Sequence, residues 1–450
     1  MPQQVAASWD ALAKKDLQRQ RSGEGEKNSD PLVIVSSYND FADLAHGPRG
    51  RQAEHTLRSY RLDVRDGSLT LLSVAKADTN PAFTRMHPYR NVMYSCTERL
   101  SENGRVVSYA LDNDTGAMTK LGDKDAQGSS TCYLTIDKAA RFMLIVNYWS
   151  SHVVSMPINQ TTFALEDATC VYHPTGMASV SLAHMEKRVN HSQNDELARK
   201  ERQKDPHTHA VVLDPFHGVI AYVPDLGSDT IHALHFDRNS GKLTWLEDIC
   251  VGIKGESHGP RYIEFHPSLP VCYVINEIGS EIAVFGVDRA EINRIASLQD
   301  GAEAAATQSQ SRSSLYPLQR ISTIPTAFPK DLNTCGRIAV HPSGRYVVVS
   351  NRGHNSLAVF RVKPQQGGKL GLVGFFHTRG ETPRHYQYDP TGQYLIVANQ
   401  DSNSLVVFEF NVSDGKLRFT NNLYDCPSPN FVACYAYEEP EIELEEDCPL

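Results

Sequence analysis

The sequence predicts an all-β chain folded as a seven-bladed β-propeller with four antiparallel strands per blade. Three observations predict it. The stretch "ETPRHYQYDPTGQYLIVANQDSNSLVVFEF" (381–410) is repeated in kind by "GPRYIEFHPSLPVCYVINEIGSEIAVFGV" (259–287) and "CGRIAVHPSGRYVVVSNRGHNSLAVFRV" (335–362). Within each copy, apolar and polar residues alternate over short runs bounded by turns such as "DPTG" and "HPSG", the pattern of half-buried antiparallel strands. Residues 31–75 hold three strand-like runs without a first, while "SPNFVACYAY" (428–437) stands as a lone first run.

Taken in chain order, residues 1–30 lack the apolar core of a signal peptide, which predicts a poorly ordered tail and a cytoplasmic location. "LVIVSSYND", "LRSYRLDV" and "LTLLSVA" then give three strands of a blade that 428–437 completes. Whole units follow at 80–112, 129–158 and 205–237, ahead of the three quoted above. In each, two strands form a hairpin, a third pairs with the second, and a fourth follows a "DGKL" or "SGKL" turn. Sharing one blade between distant segments closes the circle and leaves only short, protected edges. Two polar stretches break the period. Residues 177–204 read either as a lid over one face or as a solvated excursion, and the Ala/Ser/Gln-rich 289–316 as a mobile surface loop. The propeller therefore spans 31–437, followed by an acidic tail at 438–450.

Composition narrows the function. Hydrophobic residues make up 40% and charged residues 22%, with no run near the ~18 apolar residues of a membrane span. The net charge is -9 and no basic block is present, which excludes nucleic acid as a partner along with the membrane. The nine cysteines, odd in number and without a C-x-x-C pair, read as reduced core thiols. No G-x-S-x-G, H-E-x-x-H, Walker-type or dinucleotide-binding motif occurs, so the expected chemistry needs neither cofactor nor metal.

Comparing the copies separates scaffold from site. Asn147, Asn276, Asn351 and Asn399 recur at the end of the second strand, as turn-bonding residues would. The next position changes: Glu98, Tyr148, Asp225, Glu277, Arg352, Gln400. Counting outward from each turn sets these opposite Phe83, Cys132, His209, Arg261, Arg337 and Arg384, around the mouth of the central channel. Arg261, Arg352, Arg384 and Arg337 at one mouth point to a small anionic guest, since guanidinium binds carboxylate and phosphate as a planar fork. Glu277, opposite Arg261, is either a general base or the partner of that arginine. His209, beside Asp225, is either a proton carrier or a hydrogen-bonded channel residue. His207 shares its strand face, but no third ligand is evident and no metal site is assigned.

These residues resemble a known family. "GPRYIEFHP…INE", "VSNRGHNSLAVF", "TPRHYQYDPTGQYLIVANQDSNSLVVF" and "RQKDPHTHAVVLDP…VPDLGSDTI" are similar to the seven-bladed propellers of the lactonase family, which includes propeller-type 6-phosphogluconolactonases and fungal 3-carboxy-cis,cis-muconate cyclases. The resemblance implies His209, Arg261, Glu277 and Arg352 as catalytic residues. It implies hydrolysis of an anionic sugar lactone, 6-phosphogluconolactone to 6-phosphogluconate, with a muconate-cyclase-like isomerase as the alternative. Arg261 and Arg352 would hold anion and oxyanion, Glu277 would activate water and His209 would protonate the leaving oxygen. Arg384, His385, Asp225, Arg337, Glu98 and Tyr262 are assigned to substrate binding. Tyr262 stands where the family usually has His, Arg337 where it tends to have Glu, and "NYWSSH" replaces a Gly-rich turn. A third reading, a non-catalytic propeller that binds protein, has Trp149 beside Tyr148 in its favour.

Overall fold

The computed structural model describes residues 30–76, 78–174, 202–253, 255–298 and 312–436. The expected tails, apart from residue 30, lie outside the described residues, as do 177–201 of the first polar stretch and 299–311 of the second. The described residues form seven four-stranded antiparallel sheets. Six of them are contiguous in sequence. The seventh sets Pro429–Tyr435 innermost beside Leu32–Ser37, then Leu57–Leu62 and Leu69–Ala75, with Val432 opposite Val35 and Ala433 opposite Ile34. This is the closure that the incomplete unit predicts; the blade it forms is numbered one, and blades two to seven follow in chain order.

Burial explains the strand grammar. The second strand of a blade packs against neighbouring blades on both faces and is buried along its whole length, as in Tyr394–Asn399 (YLIVAN) and Val271–Asn276 (VCYVIN). The fourth strand faces solvent on one side and alternates, as in Lys416–Asp425. Adjacent blades are tied together by buried tyrosines: Tyr94 donates to the carbonyl of Phe163 and Tyr273 to that of Gly368, each on the following blade. The turn before the fourth strand packs under such a ring. Gly415 of "DGKL" has φ +80°, and a Cβ there would meet the Tyr346 ring at 2.4 Å, so both conformation and space demand glycine. One expectation changes: the stretch 289–316 opens as a helix, Arg289–Ser297, capped by Asp288, with Ile292 and Ile295 buried in the blade core. Apolar residues three apart gave it a buried face that its overall polarity concealed.

The inner strands carry the feature that builds the site. Pro260 pairs with Asn276 and Tyr262 with Ile275, so Arg261 is an extra residue, a β-bulge. Asn430, Ala82, Cys132 and Arg384 are extra at the same place in their blades. In blade six Gly336 and Arg337 together oppose Ser350. In blade four Thr208 bridges Asp225, which puts His209 at the bulge. Simple hairpin counting is therefore overturned: Arg261 and Glu277, Arg384 and Gln400, and the other expected pairs are not cross-strand partners. Each bulge also shortens the register, so the residue just beyond the second strand lies over the mouth. The backbone N–H of Tyr38, Glu98, Tyr148, Leu226, Glu277 and Gln400 each donates back to the entry of the inner strand, and Arg352 pairs with Thr334.

Candidate functional site

Glu277 is the centre of the mouth and is 2% exposed. Its Oε1 lies 2.6 Å from Arg202 Nη2, and its Oε2 lies 2.9 Å from Arg261 Nε and 3.0 Å from Arg352 Nη2. Burial pushes the carboxyl upward, but the guanidinium groups of Arg202, Arg352 and Arg261 more than reverse this and hold it well below the usual carboxylate range. The arginines are themselves anchored. Arg261 Nη1 donates to the Gly336 carbonyl at 2.8 Å and its guanidinium lies 4.2 Å from the Tyr262 ring centre. Arg352 Nη2 donates to the Cys335 carbonyl at 2.7 Å. Burial and the neighbouring cations bring Arg352 down to about 10, which leaves it charged at neutral pH.

His209 Nε2 stands 3.9 Å from Glu277 Oε2, and its ring meets Tyr148 and Tyr262 edge-on. Burial first, and then Arg261, hold His209 well below its ordinary pKa, so the imidazole is neutral at pH 7. An imidazole held in this way favours the reading of His209 as a hydrogen-bonded channel residue over that of a proton donor. Across the mouth, Glu98 Oε2 accepts from Tyr38 Oη at 2.5 Å and from Arg384 Nη2 at 3.4 Å, while its Oε1 lies 3.6 Å from His46 Nδ1. Beneath both groups the inner strands contribute Phe83, Tyr133, Tyr262, His385 and Phe431, whose successive rings have centres 4.1–5.2 Å apart for the pairs His385–Phe431, Phe431–Phe83, Phe83–Tyr133 and Tyr133–Tyr262. All five are buried. They form an apolar floor under the polar mouth.

Two further expectations are corrected. Asp225 is wholly buried and faces away from the mouth, since Oδ1 accepts from the backbone N–H of His207, Gly227 and Ser228 while Oδ2 lies 3.2 Å from His232 Nε2. It occupies the scaffold position of Asn276 and Asn399, and Leu226 takes the mouth position in that blade. Arg337 sits at the level of the floor, reaching Glu264 at 3.3 Å with its guanidinium 5.7 Å from the Tyr262 ring centre, instead of meeting Arg352. His385 belongs to the same floor. His207 stacks on Tyr148 with ring centres 4.8 Å apart and its Nδ1 faces the Tyr148 carbonyl, so it does not converge with His209 on a common ligand.

Sequence reasoning missed Arg202, Tyr38 and His46. Tyr38 holds in blade one the position that Glu98 and Glu277 hold in theirs, and extending the comparison to the incomplete unit would have found it. Arg202, at the end of a polar stretch outside the repeat, and His46, in a loop between strands, carry no periodic signal. An apolar cluster of Tyr148, Trp149, Leu226 and Ile278, joined by Ala45 and Leu100, adjoins these charged groups. The eight cysteines among the described residues are free thiols.

The sequence family described as Lactonase, 7-bladed beta-propeller, matches over residues 33–434. A 6-phosphogluconolactonase of Bacillus subtilis is 28% identical over 377 residues, spanning 82% of this chain and 92% of its own length. One from Formosa agariphila is 25% identical over 335 residues, spanning 73% of this chain and 81% of its own length. Among solved structures, the periplasmic gluconolactonase of Pseudomonas aeruginosa superposes with a TM-score of 0.70 at 22% identity, over 90% of this chain and 99% of that one, a likeness of fold.

Proposed function

The chain belongs to the lactonase family of seven-bladed propellers, as the match over residues 33–434 shows, and we propose that it hydrolyses an anionic sugar lactone, 6-phosphogluconolactone to 6-phosphogluconate. The observation that carries this reading is the charge imbalance around Glu277. Three guanidinium groups against one buried carboxylate leave an excess of two positive charges. Uncompensated buried charge is costly, and a phosphate or carboxylate is the partner whose shape suits the planar fork. The names of the Bacillus and Formosa relatives support the particular lactone.

An anion that engages one or more of these forks draws them away from Glu277. The carboxylate then loses the charges that depress its pKa and becomes a stronger base. The 3.9 Å between His209 Nε2 and Glu277 Oε2 is too long for a direct hydrogen bond and is a separation that a single water can bridge. In this mechanism that water attacks the lactone carbonyl carbon, Glu277 takes its proton, and Arg261 and Arg352 stabilise the oxyanion. Collapse breaks the ring C–O bond, and the protonated Glu277 returns the proton to the leaving alkoxide. His209 stays neutral throughout and orients the water.

The test is opening of 6-phosphogluconolactone by purified protein, with the spontaneous rate subtracted. Glu277→Gln is expected to lower turnover by about 10² to 10⁴-fold, the usual worth of a positioned base. Arg261→Lys is expected chiefly to raise KM, because an ammonium cannot reproduce the fork. Glu277→Gln removes the one anion among three cations, so its folding is checked by thermal melting, and Arg261→Lys serves as the charge-preserving arm. Full turnover by a folded Glu277→Gln protein would remove the carboxylate from the mechanism.

A further inference from the structure

The mouth has two unlike halves, and only one has been given a task. The half on blades four to six is cationic and centred on Glu277. The half on blades seven, one and two is balanced in charge, Arg384 standing against Glu98. It holds buried polar atoms that no described residue pairs. His46 is 6% exposed, and its Nε2 has no hydrogen-bond partner among the described residues. Gln400 is 2% exposed; its Nε2 donates to Asp401 at 3.2 Å, while its Oε1 has no partner among the described residues. Glu98 Oε1 is approached by His46 Nδ1 only to 3.6 Å, longer than a hydrogen bond.

Native proteins leave few buried polar atoms unpaired, and those that remain call for an explanation, a ligand being one. The chemistry of these three sites limits what that ligand is. Glu98 Oε1 and Gln400 Oε1 only accept, and His46 Nε2 donates or accepts according to its tautomer. His46 is held well below its ordinary pKa by burial first and then by Arg384 and Arg352, so the ring brings no charge. Glu277 and Arg202 act on the same ring, so both halves share one electrostatic field. A second phosphate would meet two acceptors here and would be repelled. An alkyl chain would leave all three atoms unsatisfied. A hydroxyl group, donor and acceptor at once, satisfies each of them.

We propose that Glu98, His46 and Gln400 form a specificity-determining half of the site that recognises hydroxyl groups of the substrate while the arginine half grips its anion. The proposal deepens the lactonase reading and rests on it for an anionic guest that carries hydroxyl groups, and it adds a separate demand: that this half of the mouth read those hydroxyls. Tyr38 and Arg384 act as positioning residues, since both hold Glu98 by Oε2 and leave Oε1 toward the guest.

The experiment is equilibrium binding of two open-chain acids, 6-phosphogluconate and its hydroxyl-free counterpart 6-phosphohexanoate, to the full chain. The wild type should prefer the polyol by at least about tenfold in Kd, one net hydrogen bond's worth. His46→Phe and Gln400→Leu, which keep bulk and lose the polar atom, should each shrink that preference at least about threefold with the Kd of 6-phosphohexanoate unchanged. Glu98→Gln, close in shape, is the arm that does not depend on tolerance of an apolar change, and it too should shrink the preference. Equal affinity of the wild type for both acids would overturn the hydroxyl half and leave the anionic reading intact. Variants that weaken both acids alike would also overturn it. A wild type that prefers the polyol but opens no lactone upholds the hydroxyl half and removes the hydrolysis, while a wild type that binds neither acid removes both.

Discussion

A carboxylate gripped by three guanidinium groups and a histidine stripped of its proton are individually poor catalysts, and the residue-scale problem is how they become good ones. Arg202 makes the shortest contact to Glu277, and the energetics of the site turn on it. Replacing Arg202 by Met removes a nearby opposite charge, which is worth about 1 to 3 pKa units for a buried carboxylate. In the wild type Glu277 is ionised from well below the usual carboxylate range upward, so kcat/KM should show no acid limb from this group between pH 5 and 7. In Arg202→Met the limb should move up toward or into that window, and a pH profile of kcat/KM checks it. An unmoved limb would mean that Arg202 does not govern the base. Arg261, Glu277, Arg352 and His209 were legible in the sequence because they occupy fixed places in a repeated unit and differ from the residues at those places in other copies. Arg202 and His46 were not, because they enter from segments outside the repeat, where no periodicity marks what a side chain will meet.

At the scale of the element, the β-bulge is what counting from a turn could not supply. One extra residue per inner strand leaves the alternation of apolar residues beyond it undisturbed, so the sequence pattern still reads as a regular hairpin while the register slips. The slip moves Asp225 from the mouth to the scaffold and Arg337 from the mouth to the floor. Blade four has a further brace that the repeat does not predict. His232, on the third strand, lies 2.7 Å from Asp248 on the fourth and 3.2 Å from Asp225 on the second. Burial opposes its charge, but the two carboxylates prevail and raise it to about 9. A histidine raised on folding stabilises fully below its unfolded pKa of about 6.5, and the contribution fades as pH rises through the folded value. The shift corresponds to roughly 3 kcal/mol at most. The difference in melting temperature between wild type and His232→Gln should therefore be largest below pH 6.5 and shrink steadily toward pH 9 to 10. A difference independent of pH would show that the brace is not ionic.

At the scale of the whole molecule, the blade count was legible because two incomplete pieces of sequence summed to one unit, an inference that needs no knowledge of side-chain contacts. The strength of the closure was not legible, and the structure supplies it. Asn430 accepts from Ser36 on the neighbouring strand and donates to Pro81 of blade two, while Phe431 joins the aromatic floor. Deleting from Ser428 onward exposes the edge of Leu32–Ser37 and opens the ring between blades seven and two. The expected outcome is loss of the single cooperative transition in urea, followed by circular dichroism, together with a tendency to associate through the open edge. A truncated chain that unfolds in one step with the same midpoint would show the closure to be dispensable. The same feature orders events in time. Among the described strands, the one that completes blade one is translated after all the others and its partner Leu32–Ser37 before them, so throughout synthesis of the six blades between them the nascent chain carries an unpaired edge and lacks one sector of its site. A growing chain can stack blade upon blade as it emerges, but it acquires a finished mouth only after residue 435 has been added, which makes the circle a check that translation has reached the end of the fold.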